Sequence, residues 1–183
     1  MRILGLRPVP AVQFPNEAVH RVLLANLDAL YGTAKRLTGR ADVAEDLVQE
    51  TARKALEATL ALKDDRNTRA WLFRILLNGL RDYLRRKKLW TEVPLDEEVG
   101  DFALVSESLA SATAEDVRRA LSNLAPEIRT LAILIDIEEF TIAESAAILQ
   151  IPPGTAASRL LRSRRELRAL LRSYQSRTSR SGG

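Results

Sequence analysis

Residues 89–116, LWTEVPLDEEVGDFALVSESLASATAED, contain no Lys or Arg, and this acidic stretch divides the rest of the chain in two. Its acids (Glu92, Asp96, Glu97, Glu98, Asp101, Glu107, Glu115 and Asp116) give it a charge of −8, so a whole-chain net charge of only +4 leaves +12 for the remainder. Pro94 and Gly100 interrupt it and no sustained hydrophobic period runs through it, which marks a connector rather than a packed element. A basic run stands on either side: RDYLRRKK at 81–88, with five cations and one acid, and RLLRSRRELRALLR at 159–172, with six arginines and one glutamate. One such run alone reads as a solvated helix face. Two of them, separated by an acidic and helix-poor tether, read as two basic modules. A chain of 183 residues has room for one ordinary domain or two small ones.

Both flanks carry helical periodicity. From Asn16 onward, Val19, Leu23, Leu27, Leu30, Ala34 and Leu37 step by 4, 4, 3, 4 and 3, a single amphipathic stripe. Gly39 ends it, because glycine takes the left-handed conformation of a helix C-terminus at little cost. Asp42 with Glu45 has the form of a capping box, predicting a second helix to about Ala61. After the polar KDDRNT, Asn67 or Thr68 is placed to cap a third helix along Trp71, Leu72, Ile75, Leu76, Leu80, Tyr83 and Leu84. That helix continues into Arg85, Arg86, Lys87 and Lys88, cations that suit a helix C-terminus. Thr113 opens the second helical region, which Pro126 interrupts; a further helix is expected over about 127–138, despite the β-branched ILIDI within it. The tail SRTSRSGG is expected to be disordered. The fold class is all-α: two small helical domains joined by an acidic linker.

Several chemistries are excluded. Cys is absent and His20 is the sole histidine, which removes disulfides, thiol catalysis, Cys- or His-clustered metal and a Ser-His-Asp triad. No nucleophile–base pair stands out, so the chain is read as no enzyme, with no cofactor and no metal. No apolar run approaches the roughly 20 residues needed to span a bilayer, so no membrane insertion is expected. The opening MRILGLRPVPAVQFP holds three prolines and makes a poor signal peptide, leaving a cytoplasmic location as the expectation.

The most informative local pattern lies at 141–172. Thr141-Ile142-Ala143-Glu144 is a capping box opening a short helix that ends near Leu149. Gln150-Ile151-Pro152 breaks it, since a residue before proline is pushed out of helical geometry. Pro153-Gly154-Thr155 then leads into a long basic helix, with proline tolerated in the first turn. Short helix, brief turn and Arg-rich helix make the layout of a helix-turn-helix, whose second helix enters the DNA major groove. The small residues Thr155, Ala156, Ala157 and Ser158 would let the backbone approach a duplex, and Arg159 and Arg162 share a face suited to guanine edges or phosphates. The bland alternative is a helical hairpin with a solvated basic face.

Taken together the two halves resemble bacterial sigma factors of the extracytoplasmic-function (ECF) class. The resemblance covers about 16–88 and 114–172. Asp42-Val43-Ala44-Glu45-Asp46-Leu47-Val48-Gln49-Glu50-Thr51 is similar to the family's polymerase-binding helix. Ala70-Trp71-Leu72-Phe73-Arg74-Ile75, with Asn78, Asp82, Leu84, Arg85 and Arg86, is similar to its promoter-melting helix. Leu124, Arg129, Asp136, Glu138, Thr141, Glu144, Ala146, Ile148, Leu149, Ile151, Gly154, Thr155, Ser158, Arg159 and Leu160 fall where the family's region 4 expects such residues. The implied division is an N-terminal extension at 1–15, a region 2-like domain at 16–88, the linker at 89–113, a region 4-like domain at 114–174 and a disordered tail at 175–183.

The resemblance implies a subunit that docks on core RNA polymerase, through its β′ clamp and β subunits, and confers promoter specificity. Asp46, Gln49 and Glu50 share one helical face and would meet the clamp. The loop from Lys63 to Arg69 matches the family loop that holds a flipped base of the minus-ten element, which implicates Lys63, Arg66, Asn67 and Arg69. Asn78 would lie on the same strand, with Arg74, Arg81, Arg85 and Arg86 as candidates for its phosphates. Trp71 is by spacing core rather than a DNA contact. Thr155, Ser158, Arg159, Arg162 and Arg165 would read the minus-thirty-five element. An anti-sigma factor is an implied partner beside promoter DNA. The acidic linker is either a solubilising spacer or a nucleic-acid mimic in the path that RNA later takes. Departures from the family pattern are Gln150 in place of Gly, Ala156 in place of a buried Val, Ala157 in place of Lys or Arg, Ser145 in place of Ile and Leu161 in place of a frequent His. A sigma mimic that sequesters a regulatory partner, a conventional dimeric helix-turn-helix regulator and a helical module without a DNA role are the other readings.

Overall fold

The first helix, α1 (Glu17–Thr38), turns Val19, Val22, Leu23, Leu30, Thr33, Ala34 and Leu37 inward, close to the predicted stripe. The computed structural model describes residues 17–58, 65–87 and 113–178. The extension at 1–15, Lys63, the linker up to residue 112 and residues 179–183 lie outside the described residues. Gly39 ends α1 with φ +69, and its N–H donates to the Lys35 carbonyl at 2.9 Å, the left-handed cap that favours glycine.

Two predicted caps are corrected. Helix α2 (Ala41–Glu57) has Arg40, in extended conformation, at its N-cap and no side-chain cap. Asp42 sits inside the first turn, where its carboxylate pairs with the Arg40 guanidinium instead of closing a box with Glu45. The helix also stops at Glu57, short of Ala61, because Ala58 takes an extended conformation. Helix α3 (Asp65–Arg86) begins ahead of Asn67 and Thr68, so neither is a cap, and Thr68 is buried. Its inner face of Leu72, Phe73, Leu76, Leu77, Leu80 and Leu84 closes a three-helix bundle with α1 and α2. Gly79 permits the close approach of α2, since a Cβ there would meet Leu47 at 3.3 Å.

In the second half, Thr113 caps α4 (Ala114–Ser122) through a reciprocal capping box with Asp116. Pro126 occupies the first turn of α5 (Pro126–Ala132), as its missing N–H allows. The predicted helix over 127–138 is not uniform: Ile133–Ile137 forms a π-type turn. The β-branched ILIDI widens the helix instead of leaving it, and the Glu138 N–H closes the turn on the Ile133 carbonyl at 2.9 Å. Glu139 follows at φ 58, and the Phe140 N–H returns to the Leu134 carbonyl at 2.9 Å. The helix-turn-helix consists of α6 (Ile142–Leu149), with the predicted Thr141–Glu144 capping box, and α7 (Pro153–Thr178). Helix α7 runs past residue 174 because no Gly or Pro interrupts the sequence before Gly182. Among the described residues every regular element is helical.

The apolar core does not divide at the linker. Ala120, Leu121, Leu124, Ile128, Ala132, Leu167 and Leu171 form a core private to the second half. Leu131, Ile133, Leu134, Phe140, Ala146, Ile148, Leu149 and Ala156 instead join the cluster built by α1, α2 and α3. Fully burying a Leu, Ile or Phe among them is worth about 1.5–3 kcal/mol, so the two domains hold one another through a shared apolar seam.

Candidate nucleic-acid interface

The outward side of α2 carries Asp46 and Gln49, both exposed, opposite the buried Val43, Ala44, Thr51 and Ala55. Glu50 lies beside them, its carboxylate held by Arg53 at 2.7 Å and Lys54 at 3.3 Å. The Arg53 hydrogen bond, with Lys54 behind it, holds the Glu50 carboxyl down at about 2. Glu50 is therefore ionised at neutral pH, its charge met by Lys54 and by Arg53, which folds back along its own helix to Glu50 and Glu57.

The α3 candidates fall into two groups. Asn67, Arg74, Arg85 and Arg86 are exposed, as is Asn78, whose side-chain carbonyl faces Arg81 at 3.5 Å. Arg66, Arg69 and Arg81 instead reach the second half. Arg66 forms a bidentate pair with Glu144, one bond of which is 2.8 Å. Arg69 donates to the Glu138 carbonyl at 2.9 Å, its carboxylate at 3.1 Å and the Asn26 side chain at 2.9 Å. Its guanidinium also lies 4.2 Å from the centroid of Phe140 and 5.0 Å from that of Phe73. Arg81 donates to the Leu149 carbonyl at 3.2 Å. Burial pushes its guanidinium below the ordinary range, and the nearby charges of Arg85 and Arg159 act in the same direction. The expected loop from Lys63 to Arg69 is helical from Asp65 on. Trp71 is half-buried against the core, as its spacing predicts, and also lines a cavity of about 300 Å³ with Asn67, Ala70, Arg74, Glu144, Ala147 and Ile148.

On α7, Thr155, Ser158, Arg159 and Arg162 are half-buried and Arg165 is exposed. The Ser158 hydroxyl donates to the Thr155 carbonyl at 3.1 Å, and Arg162 donates to Glu166 at 2.9 Å. Arg164 pairs with Asp136 and ties the helix to the π-type turn. Gln150, in the glycine position of the motif, has φ 58, so the backbone keeps the left-handed turn at a cost glycine would avoid.

Thr33 and Phe140, which the sequence alone did not single out, complete the seam with Glu138 and Arg129 of the region 4 pattern. Glu138 is buried and accepts from the Thr33 hydroxyl at 2.9 Å, with Arg36 3.7 Å away. Arg129 donates to Leu37 at 3.3 Å and to the Ser122 and Leu124 carbonyls at 2.9 and 2.7 Å, joining α1 to the α4–α5 corner. Burial pushes its guanidinium down from the usual range. Phe140 meets Phe73 edge-on at 5.0 Å. Among the described residues no acid or histidine group can hold a metal ion, and no helix is long and apolar enough to cross a membrane.

An all-α pair of domains, one with an acidic helix face and a basic third helix and the other a helix-turn-helix, defines a multi-domain DNA-binding protein. Residues 22–89 match the family model for sigma-70 region 2, and residues 114–167 match that for sigma-70 region 4. The ECF RNA polymerase sigma factor EcfG of Rhodopseudomonas palustris is 36% identical over 154 residues, covering 81% of this chain and 82% of the relative. The sigma factor RpoE of Bartonella quintana, solved with the anti-sigma factor NepR, is 30% identical with a TM-score of 0.65, covering 84% of this chain and 96% of that one. CnrH, solved with the cytosolic domain of CnrY, is 25% identical with a TM-score of 0.62, covering 87% and 96%. The chain belongs to the sigma-70 family and, within it, is an ECF sigma factor.

Proposed function

We propose that the chain divides the work of a sigma factor between its halves, with residues 16–88 holding core RNA polymerase and the melted minus-ten strand, and 114–174 reading the minus-thirty-five element. What carries this reading is the joint presence, in one chain, of the Arg-rich α3 and a capped helix-turn-helix whose second helix is also Arg-rich. Asp46, Gln49 and Glu50 meet basic helices of the polymerase clamp. Lys63, Arg66, Asn67, Arg69, Arg74, Asn78, Arg81, Arg85 and Arg86 serve the single strand, where cations track phosphates and pockets take unstacked bases. Thr155, Ser158, Arg159, Arg162 and Arg165 serve the duplex, with guanidinium groups reading guanine edges or phosphates. The protein works in the cytoplasm, where its polymerase is. It catalyses nothing itself and takes no cofactor. An anti-sigma factor is its regulator, by similarity to relatives solved with such partners.

Purified protein added to core polymerase is expected to direct transcripts from a cognate promoter, mapped by their 5′ ends. Failure to co-elute with core polymerase on gel filtration overturns the reading. Binding of duplex DNA by the free protein at two half-sites one helical turn apart would replace it with that of a dimeric regulator.

A further inference from the structure

Asn67, Ala70, Trp71 and Arg74 follow one another at three- and four-residue spacing and share one face of α3. Glu144, Ala147 and Ile148 do the same on α6, and the two faces enclose the cavity of about 300 Å³. Bonds within the chain leave its groups unequally available to a ligand. Glu144 is committed, since its carboxylate takes the Arg66 guanidinium and the N–H and hydroxyl of Thr141. Trp71 and Arg74 are not. Among the described residues neither the Trp71 indole N–H nor the Arg74 guanidinium has a hydrogen bond or ion pair. Trp71 is nonetheless half-buried, a setting in which an indole N–H ordinarily finds an acceptor, while Arg74 is exposed. Ala70, Ala147 and Ile148 make the rest of the lining apolar.

An aromatic side chain, one unused N–H donor, one unused guanidinium and an aliphatic wall suit a flat heteroaromatic ring that carries acceptors and an anionic group. Purine nucleotides have that composition. Bases stack on aromatic side chains whatever their identity, and the larger purine ring covers more of the indole. Its ring nitrogens accept an N–H, and guanidinium groups pair with phosphate. We propose that the cavity between α3 and α6 binds a free purine mononucleotide, with the base on Trp71 against Ala147 and Ile148 and the phosphate on Arg74. A base and phosphate of the minus-ten strand offer the same chemistry, and Arg74 is assigned to that strand above. Two features favour the free nucleotide. Glu144, Ala147 and Ile148 come from the second half, so the site is complete only where the halves meet. At about 300 Å³ it also stands at the lower end of small-molecule sites, with room for one nucleotide and none for a strand running through. A ligand that touches both halves stabilises the chain by mass action, so the nucleotide is a regulatory ligand of this sigma factor.

Trp71 and Trp90 are the two tryptophans of the chain, so Trp90→Phe leaves Trp71 as the sole indole reporter. The full-length Trp90→Phe protein is titrated with AMP and GMP while Trp71 emission is followed, and Tm is read with and without nucleotide. Emission is expected to quench saturably, and a hundredfold excess over Kd should raise Tm by roughly 5–10 °C. Adding Arg74→Gln should weaken AMP and GMP by at least about tenfold. The affinity for adenosine and guanosine, which lack the phosphate, should stay as it was. Ala147→Leu fills the cavity from α6 and should abolish quenching by nucleotide and nucleoside alike. Circular dichroism checks each variant. Should Ala147→Leu melt early, the comparison of nucleotide with nucleoside in Arg74→Gln decides, because Arg74 is exposed and its loss leaves the core intact. Absence of saturable quenching by AMP and GMP overturns the proposal, as does equal weakening of nucleotide and nucleoside by Arg74→Gln. Quenching by a short single-stranded DNA oligonucleotide but by neither mononucleotide also overturns it, and gives the cavity to the strand. Because no polymerase is present, a failure to bind core polymerase bears on the function proposed above and leaves the nucleotide site standing.

Discussion

Arg69 of the first domain donates to Glu138 of the second twice, to its carbonyl at 2.9 Å and its carboxylate at 3.1 Å. Among the described residues the pair is the most buried ionic contact between the halves, and the Thr33 hydroxyl occupies the remaining carboxylate oxygen. Removing one partner of such a pair leaves the other charge desolvated and uncompensated. Glu138→Ala is therefore expected to destabilise the chain by about 2–4 kcal/mol. For a protein of this size that lowers Tm by roughly 5–15 °C. Thermal denaturation followed by circular dichroism measures it, and a shift under about 2 °C would show that Arg69 finds water once Glu138 is gone.

A second stability effect is confined to one backbone position. Gln150 caps α6 at φ 58 and ψ 43, a left-handed conformation that costs a residue with a Cβ about 1 kcal/mol or more. Gln150→Gly removes that cost but loosens the unfolded chain, which returns part of the gain. A net stabilisation of about 0.5–1 kcal/mol is expected, with a small rise in denaturant midpoint at unchanged m-value. Gln150→Val, β-branched at the same φ, should move the midpoint the other way. Equal midpoints for the two variants would mean the turn relaxes freely.

The contrast between these two sites shows what the sequence makes legible. The helix-turn-helix is read correctly from residues 141–153 because its signals are local: the Thr141–Glu144 box, Gln150 and the Pro152–Pro153 break each act within a turn of the helix end that they define. The same local logic misplaces the start of α2, where Asp42 has the right spacing to Glu45 but a closer partner in Arg40. The π-type turn at Ile133–Ile137 escapes because its residues fit a strand or a helix equally well, and packing decides. Candidate arginines are visible as charges, yet their occupation is not. Arg69 and Glu138 are 69 positions apart, and Thr33 and Glu138 are 105 apart, so nothing in the spacing brings them together.

On α2 the exposed Asp46 and Gln49 permit a change of function without a change of fold. Asp46→Arg/Gln49→Arg reverses the sign of the proposed clamp contact while leaving the buried Val43, Ala44, Thr51 and Ala55 untouched. Tm should stay within about 2 °C, since surface changes of this kind fall within about 0.5 kcal/mol. Affinity for core polymerase should fall at least about tenfold, because truncating or reversing charges at a close interface costs about 1.5 kcal/mol or more. Fluorescence anisotropy of labelled protein titrated with core measures it, and unchanged affinity would place the contact on another face.

Acid should loosen the seam through Glu144 before it unfolds either domain. The Arg66 hydrogen bond, helped by Thr141, holds the Glu144 carboxyl at about 2, below the 4.5 ordinary for a glutamate. A carboxyl depressed in the folded state contributes stability that is full above its unfolded value and fades as pH falls toward the folded one. The contribution of Glu144 is therefore intact at neutral pH, declines below about 4.5 and is gone near 2. Protonation removes the negative charge that faces Arg66 and weakens Glu144 as the acceptor of the α6 capping box, so the start of α6 should fray together with the ion pair. Glu144→Gln keeps an acceptor for the Thr141 N–H but has no proton to take up. Measured between pH 5 and pH 3, the stability of wild type should fall more steeply than that of Glu144→Gln. Because Arg66 is largely exposed, the difference is expected to be below about 1 kcal/mol. Parallel pH profiles for the two proteins would show that Arg66 and Glu144 are not paired in solution.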